Sequence, residues 1–100
     1  MDFAFYRNFI TVAETGNLSA AAKRLGIVQP ALSAQMKAIE RNYSVQLFKM
    51  QRGKRHIELT EAGETFLQQA RQLCNTEDDI SLRMQAFGRR AAGTLRFSVS

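Results

Sequence analysis

Residues 29–43 have the sequence Gln-Pro-Ala-Leu-Ser-Ala-Gln-Met-Lys-Ala-Ile-Glu-Arg-Asn-Tyr, and the organisation of the whole chain follows from this stretch. At the ~100° per residue of an α-helix, its large apolar side chains form one narrow stripe, made of Leu32, Met36, Ile39 and Tyr43. The other side presents small uncharged side chains and two cations, namely Pro30, Ser33, Ala34, Lys37 and Arg41. Such a face can approach another macromolecule closely, as a recognition helix does. An ordinary solvated helix face has the same pattern, so the neighbouring segments must decide between the two.

Length and composition limit the class of protein. The chain has 100 residues, 45% hydrophobic and 23% charged, which predicts one small globular domain with at most an appendage. It contains no apolar run of the ~20 residues that a membrane span needs, and its N-terminus is not typical of a secretory signal. A single cysteine, Cys74, cannot form an internal disulfide. We therefore expect a cytoplasmic protein that does not contact membranes.

The positive charge is unevenly distributed. The net charge is +5, and residues 1–60 hold nine Lys or Arg against four Asp or Glu. Residues 61–88 hold two cations and five acids, and residues 89–100 hold three cations and no acid. A basic domain joined to an acidic segment suits a polyanion at one end only, although solubility alone could account for an excess of this size.

Two helices precede the quoted stretch. Residues 2–15 place Phe5, Phe9, Val12 and Ala13 at core spacing, which predicts a first helix capped by Asp2 and stopped by Gly16. A second, short helix is predicted over residues 20–25, with Ser19 as its cap and, since a helix N-terminus favours anions, as a phosphate contact. A short alanine-rich helix, a turn at Gly26 and a second helix with a polar outer face form a helix-turn-helix pattern, whose second helix enters the major groove of DNA.

Five sequence blocks in a fixed order resemble the LysR-type transcriptional regulators. They are Ser19-Ala20-Ala21-Ala22-Lys23-Arg24-Leu25, Gln29-Pro30-Ala31-Leu32-Ser33, Ile39-Glu40, Leu47-Phe48 and Leu59-Thr60-Glu61-Ala62-Gly63. The resemblance extends from about Asp2 to Ser100. It implies that a recognition helix at 29–42 lies against the major groove through Gln29, Pro30, Ser33 and Ala34, with Ser19 and Lys37 near phosphates.

The chain departs from the family pattern at three places. Val28 stands where a small capping residue is common, Ala34 where a long polar side chain is common, and Tyr43-Ser44 where Leu-Gly is usual. An absent side-chain cap costs about 1 kcal/mol. Ala34 cannot make a bidentate base contact, which transfers discrimination to Gln29, Ser33, thymine methyl groups and DNA shape.

A basic hairpin is predicted at residues 49–58. Val45, Leu47 and Phe48 are expected to return to the core, and Ile57 and Leu59 alternate with His56 and Glu58 as in a half-buried strand. The tip carries Lys49, Arg52, Lys54 and Arg55. A hairpin of this kind directly after a helix-turn-helix indicates a wing that contacts phosphate or the minor groove, whereas the alternative is a solvated loop.

A long helix is predicted from Thr60 to about residue 88. Side chains at alternating spacings of four and three define a seam for a homodimer, formed by Phe66, Ala70, Leu73, Ile80, Met84 and Phe87 and interrupted by Glu77. This helix would extend about 40 Å. Packing against its own domain can explain the first two turns, but it leaves Ile80, Met84 and Phe87 without cover.

Three segments result: a DNA-binding domain at 1–60, a linker and dimerisation helix at 61–88, and at 89–100 a hinge followed by a strand. The resemblance implies that this strand begins an effector-binding domain that lies outside the chain and takes the small-molecule effector. Relatives often pair their dimers into tetramers, and the sequence does not distinguish dimer from tetramer.

The sequence therefore predicts a mainly α winged helix-turn-helix domain, with a three-helix core and a two-stranded β-wing, followed by a dimerisation helix. Its expected partner is double-stranded DNA, bound at an interrupted dyad, with no cofactor and no metal. It is not expected to be an enzyme, because neither His56 nor Cys74 has the partners of a catalytic or metal site. The open alternative is a winged-helix module that binds protein and has only non-specific affinity for DNA.

Overall fold

The computed structural model describes residues 1–49 and 56–95, which form four helices and a two-stranded sheet. In chain order the elements are α1 (Ala4–Thr15), α2 (Leu18–Leu25), α3 (Gln29–Tyr43), β1 (Phe48–Lys49), β2 (Glu58–Leu59) and α4 (Glu61–Leu95). This order confirms the predicted architecture of three helices, a hairpin and a long helix.

Helix α1 supplies the centre of the core. Phe9 and Val12 are fully buried, and Phe5 and Ala13 pack against the buried cluster, as their spacing predicts. The expected cap is wrong by one residue, because the N-cap position is Phe3. Asp2 still satisfies a first-turn donor, since its Oδ1 accepts a hydrogen bond from the backbone N–H of Ala4 at 3.3 Å.

Helix α2 begins earlier than predicted, at Leu18. Asn17 is its cap: the residue has extended backbone angles, and its Oδ1 accepts a hydrogen bond from the Ala20 N–H at 2.9 Å. The prediction that Ser19 caps this helix is therefore wrong, because Ser19 already lies within the first turn. The Ser19 hydroxyl is not used in this cap and can bind a group outside α2.

Helix α3 starts without a side-chain cap, as predicted from Val28. The proline at the second helical position, Pro30, compensates in part because it brings no backbone N–H that would need a partner. At the other end Ser44 adopts the left-handed conformation (φ 56°) in which glycine is usual. Two of the three departures from the family pattern, Val28 and Tyr43-Ser44, thus fall on the ends of this helix.

The core lies where α1, α2 and α3 meet the start of the hairpin. Its buried members are Phe9, Val12, Ala21, Ala22, Leu32, Met36, Ile39, Leu47 and Phe48. Three of the four residues in the predicted stripe of α3 are buried, whereas Tyr43 is 44% exposed at its edge. Val45 is also exposed, so its predicted return to the core is wrong, while Leu47 and Phe48 are buried as expected.

The two strands are antiparallel, with Phe48 opposite Leu59 and Lys49 opposite Glu58. The hairpin is thus present, although its second strand is shorter than the predicted 56–59. His56 precedes this strand and lies against Gly16, whose left-handed conformation (φ 68°) ends α1. The predicted wing residues Arg52, Lys54 and Arg55 lie outside the described residues.

Helix α4 continues to Leu95, past its predicted end near residue 88. The expected hinge at 89–93 is therefore wrong, and Thr94 and Leu95 are helical instead of extended; residues 96–100 lie outside the described part. At the start, Thr60 caps the helix, because its Oγ1 accepts a hydrogen bond from the Gly63 N–H at 2.9 Å. The 35 residues of α4 extend about 52 Å, well beyond the core.

Candidate nucleic-acid interface

The outward face of α3 is accessible. Pro30, Ala34 and Lys37 are exposed, and Ser33 is half-buried beside a small cleft between α3 and the hairpin. Helix α3 contains one acid, Glu40, which neighbours this face. Its Oε2 accepts backbone hydrogen bonds from Leu47 at 2.8 Å and Phe48 at 3.3 Å. These bonds direct the carboxylate toward the hairpin, which leaves an outer face compatible with an anionic partner.

The first turns of α2 and α3 are joined at this surface. The Ser19 hydroxyl donates a hydrogen bond to Gln29 Oε1 at 2.9 Å, and both residues are exposed. The two helices approach closely because Ala21 and Ala22 are small and fully packed. The turn between them is fixed by Gly26 in the left-handed conformation and by a hydrogen bond from Ile27 N–H to Ala22 O at 3.0 Å. The structure thus brings Ser19, predicted at a phosphate, next to a predicted base-reading residue.

Four exposed cations lie on the helices and the hairpin of this domain. Lys37 and Arg41 follow along α3, Lys23 ends α2, and Lys49 lies in β1. Within the described part of the chain none of these four forms an ion pair. Arg24 is different, because its guanidinium lies 3.8 Å from the Glu14 carboxylate. Four exposed cations of the domain are therefore available to a polyanion.

The predicted dimerisation residues divide into two groups. Ala70 is 2% exposed and Phe66 packs with Tyr6, Phe9 and Tyr43, so both are covered by their own domain. Leu73, Ile80 and Met84 are 41%, 53% and 55% exposed. Phe87 is also exposed. Packing on the own domain thus covers Phe66 in the second turn of α4 and Ala70 in the third, slightly more than the two turns that this alternative is expected to explain.

An ion cluster marks the point where α4 leaves the domain. Arg7 of α1 lies 2.5 Å from Glu77 Oε1 and 2.8 Å from Asp78 Oδ1, and its guanidinium stacks over the Phe3 ring. These contacts raise the pKa of Arg7, mainly through Asp78 and then Glu77. Glu77, which interrupts the apolar seam in the sequence, therefore holds α4 against α1.

Cys74 lies on the covered side of α4. It is 5% exposed and is therefore a buried thiol. Burial raises its pKa, a shift that the nearby Arg7 partly opposes. A thiol that is both buried and protonated is a poor nucleophile.

Four features of the structure were missed from the sequence. Asn17 carries a recognisable signal, because asparagine is among the best N-cap residues and precedes a helical pattern. The other three are contacts between different elements: Glu40 with the start of the hairpin, Arg7 with Glu77 and Asp78, and Tyr6 with Tyr43. No local pattern encodes such pairs.

Two other features, a metal site and a membrane-spanning helix, are not found in the part of the chain that the structure describes. Among residues 1–49 and 56–95, no group of three or more His, Cys, Asp or Glu side chains could hold a metal ion. No helix in the same ranges is long and apolar enough to cross a membrane.

A three-helix core, an antiparallel hairpin and a long following helix together define a winged helix-turn-helix domain. The family model described as "Bacterial regulatory helix-turn-helix protein, lysR family" matches residues 4–64. The chain belongs to the lysR family. The resemblance seen in the sequence is thereby confirmed, and so is the predicted fold class.

Known relatives agree with this assignment. The chain is 45% identical over 96 residues to the HTH-type transcriptional regulator ClcR of Pseudomonas putida, covering 96% of this chain and 32% of that relative. The structure of the CbnR_DBD–DNA complex matches with a TM-score of 0.81 and 41% identity, covering 88% of this chain and 99% of that one. The BenM_DBD complex with catB site 1 DNA gives a TM-score of 0.82 at 31% identity, covering 88% and 97%. The chain spans about a third of the length of the first curated relatives it matches.

Proposed function

We propose that this chain is the DNA-binding part of a transcriptional regulator and that α3 reads the bases of its operator. The observation that carries the proposal is the outward face of α3, where the exposed Gln29, Pro30 and Ala34 and the half-buried Ser33 are uncharged and Lys37 follows. A helix with this face can enter the major groove without bulky obstruction, while the surrounding cations bind phosphate. CbnR and BenM domains of the same fold are solved with DNA. The role is regulatory and not enzymatic, and it belongs in the cytoplasm.

Sequence specificity is tested with a single substitution. Ser33→Arg places a long cation on the base-reading face and should alter or abolish preference among operators. Fluorescence anisotropy with a panel of duplexes, selected first with the parent chain, gives the preference directly. Undiminished selectivity of the variant would remove Ser33 from the interface. A parent that binds operator-like and scrambled duplexes equally would favour the protein-interaction module instead, because specific binding typically exceeds non-specific binding by ~10³ or more.

The wing is proposed to add phosphate or minor-groove contacts through Arg52, Lys54 and Arg55. The hairpin supports this role, since β1 and β2 pair on either side of this basic segment in the chain and the exposed Lys49 ends β1. Replacing Lys54 and Arg55 by Ala should weaken binding to all sequences. It should also reduce the slope of log affinity against log salt by about one unit for each phosphate that is no longer bound. An unchanged slope would place the wing outside the interface.

Two copies of the chain are proposed to associate through the distal part of α4. Leu73, Ile80 and Met84 fall within about 40° of one another on the helix, and all are exposed. They continue an open, mainly apolar groove beside the first turns of α4, where Tyr43 and Val45 are also exposed. An apolar stripe of this length in water needs a cover, and a second copy provides one with the same stripe.

A matched pair of substitutions tests this interface. Ile80→Glu places a charge on the stripe, whereas Leu82→Glu places the same charge about 160° away, at a leucine that is 64% exposed. Sedimentation equilibrium should show a dimer for the parent and for Leu82→Glu, and a monomer for Ile80→Glu. Equal effects of both variants would contradict the proposed stripe.

The full-length regulator is proposed to carry an effector-binding domain beyond residue 100 and to assemble as a dimer or tetramer. The share of the relatives that this chain covers supports this view, because about two thirds of their length remains for other domains. Small-molecule control would then reach DNA through α4.

A further inference from the structure

The Ser19 hydroxyl is not needed by its own helix. Asn17 caps α2 through its hydrogen bond to the Ala20 N–H, and Ser19 lies exposed in the first turn. Its hydroxyl instead donates to Gln29 Oε1 at 2.9 Å, which links α2 to the first residue of α3. Ser19 therefore contributes neither to the helix cap nor to the core. Its hydroxyl acts on the side chain of Gln29 at the start of α3.

In this bond Oε1 is the acceptor, so the NH2 end of the Gln29 amide is the end that the structure leaves free. A glutamine amide has an oxygen that accepts and an NH2 group with two donors. An unrestrained amide can turn over and offer either end to a base. We propose that Ser19 is a positioning residue for base reading: by holding Oε1, it keeps the Gln29 NH2 group as the part offered to DNA. This inference rests on the proposed function, since it assigns a preference to the same face of α3.

The preference follows from the hydrogen-bonding groups of the major groove. Guanine presents two acceptors, N7 and O6, and thymine presents the acceptor O4. Adenine presents an acceptor beside a donor and is best read by an amide with both its oxygen and nitrogen free, while cytosine presents a donor. An amide whose oxygen is held by Ser19 should therefore favour guanine or thymine over adenine and cytosine at the base that faces Gln29.

Three variants distinguish the orientation of the Gln29 amide from a purely structural role of Ser19 in α2. Ser19→Ala removes the hydroxyl and leaves the Asn17 cap in place, so α2 should remain folded. Ser19→Thr keeps a hydroxyl at the same position. Asn17→Ala is the matched control for a structural effect, because it removes the cap of the same helix turn but leaves the bond between Ser19 and Gln29.

The experiment uses the 100-residue chain and a duplex selected by the parent from a random pool. The base pair that faces Gln29 is located as the one at which Gln29→Ala loses discrimination, and all four base pairs are then placed there. Fluorescence anisotropy should show that the parent prefers a facing guanine or thymine by roughly tenfold, the discrimination of a good base contact. Ser19→Ala should reduce this ratio to below about threefold or shift it toward adenine, while Ser19→Thr and Asn17→Ala retain it.

Two results would overturn the inference. A parent that favours adenine would show that Oε1 is available to DNA. A Ser19→Ala variant that binds all four duplexes more weakly by the same factor would assign Ser19 to phosphate contact instead of orientation. Both results differ from a failure of the proposed function, in which the parent would select no sequence from the pool, and in that case the inference fails with it.

Discussion

The two halves of α4 have the same apolar spacing in the sequence but different surroundings in the structure. In the first half Phe66, Ala70 and Cys74 are covered by the domain to which they belong. In the second half Ile80 and Met84 stand exposed beyond the core. The ion pairs of Arg7 with Glu77 and Asp78 lie at the boundary. Periodicity thus shows that a helix has an apolar face, but not whether its own domain or another molecule covers that face.

The largest effect should separate the two halves by their contribution to folding. Phe66→Ala removes a ring that packs on Phe9 at 4.7 Å and on Tyr43 at 5.6 Å, and should lower the free energy of unfolding by about 3 kcal/mol. Met84→Ala, at a residue that is 55% exposed, should change the same quantity by less than about 0.5 kcal/mol. Urea unfolding followed by circular dichroism, at a dilution where the parent is monomeric, measures both. Similar losses in the free energy of unfolding for both variants would mean that the two halves of α4 contribute equally to folding.

Two glycines, Gly63 in the first half of α4 and Gly88 in the second, allow the same comparison between the halves. A Cβ added at Gly63 would collide with the Leu47 carbonyl, whereas one added at Gly88 meets no described atom within 4 Å. Gly63→Ala should therefore destabilise the domain by about 1–3 kcal/mol, because the helix must move away from the backbone of the hairpin. Gly88→Ala should stabilise α4 by about 0.5–1 kcal/mol, because alanine is the better helix former. Thermal unfolding should show a lower melting temperature for Gly63→Ala and a higher one for Gly88→Ala than for the parent.

The tyrosines give a smaller, pH-dependent signal that reports on the first half alone. Both tyrosines of the chain pack around Phe66, and the oxygen atoms of Tyr6 and Tyr43 are 2.6 Å apart. This hydrogen bond, then burial, then the charge of Tyr43 raise the pKa of Tyr6 to about 12. A raised folded-state pKa favours the neutral phenol, so the contribution to stability is present below pH 10 and is lost between pH 10 and about 12.

Tyr43→Phe tests this assignment. The variant lacks the hydroxyl that binds Tyr6, so the pKa of Tyr6 should fall toward 10.0 and the loss of stability across that pH range should shrink. Ultraviolet titration of the phenol follows the first effect, and thermal unfolding at several alkaline pH values follows the second. An unchanged titration curve would show that the hydroxyl pair is not formed in solution.

Much of the fold could be predicted because its signals are local. The spacing of Phe9 with Val12, the left-handed glycines Gly16 and Gly26, and the buried stripe of α3 all follow from helix geometry and backbone preference. The end of α4 could not be predicted in this way. Gly88 and Gly93 are compatible with a hinge, yet α4 runs through both, because a helix tolerates each glycine at a cost of about 1 kcal/mol.

The candidate site was only partly predictable for a related reason. Residue type and position in α3 indicate which side chains face outward, and Gln29, Pro30 and Ala34 do so. The partner of each side chain depends on contacts between distant segments. The link from Ser19 to Gln29 spans ten residues and the link from Arg7 to Glu77 spans seventy, and neither leaves a pattern in the sequence.

One measurement tests directly whether α3 reads bases and the second half of α4 joins two copies. Sequence selection from a random duplex pool is carried out with the parent and with Ile80→Glu. The parent should enrich an interrupted dyad whose half-sites lie a whole number of helical turns apart, and Ile80→Glu should enrich a single half-site. No enrichment by the parent, or a dyad that survives in Ile80→Glu, would contradict this account.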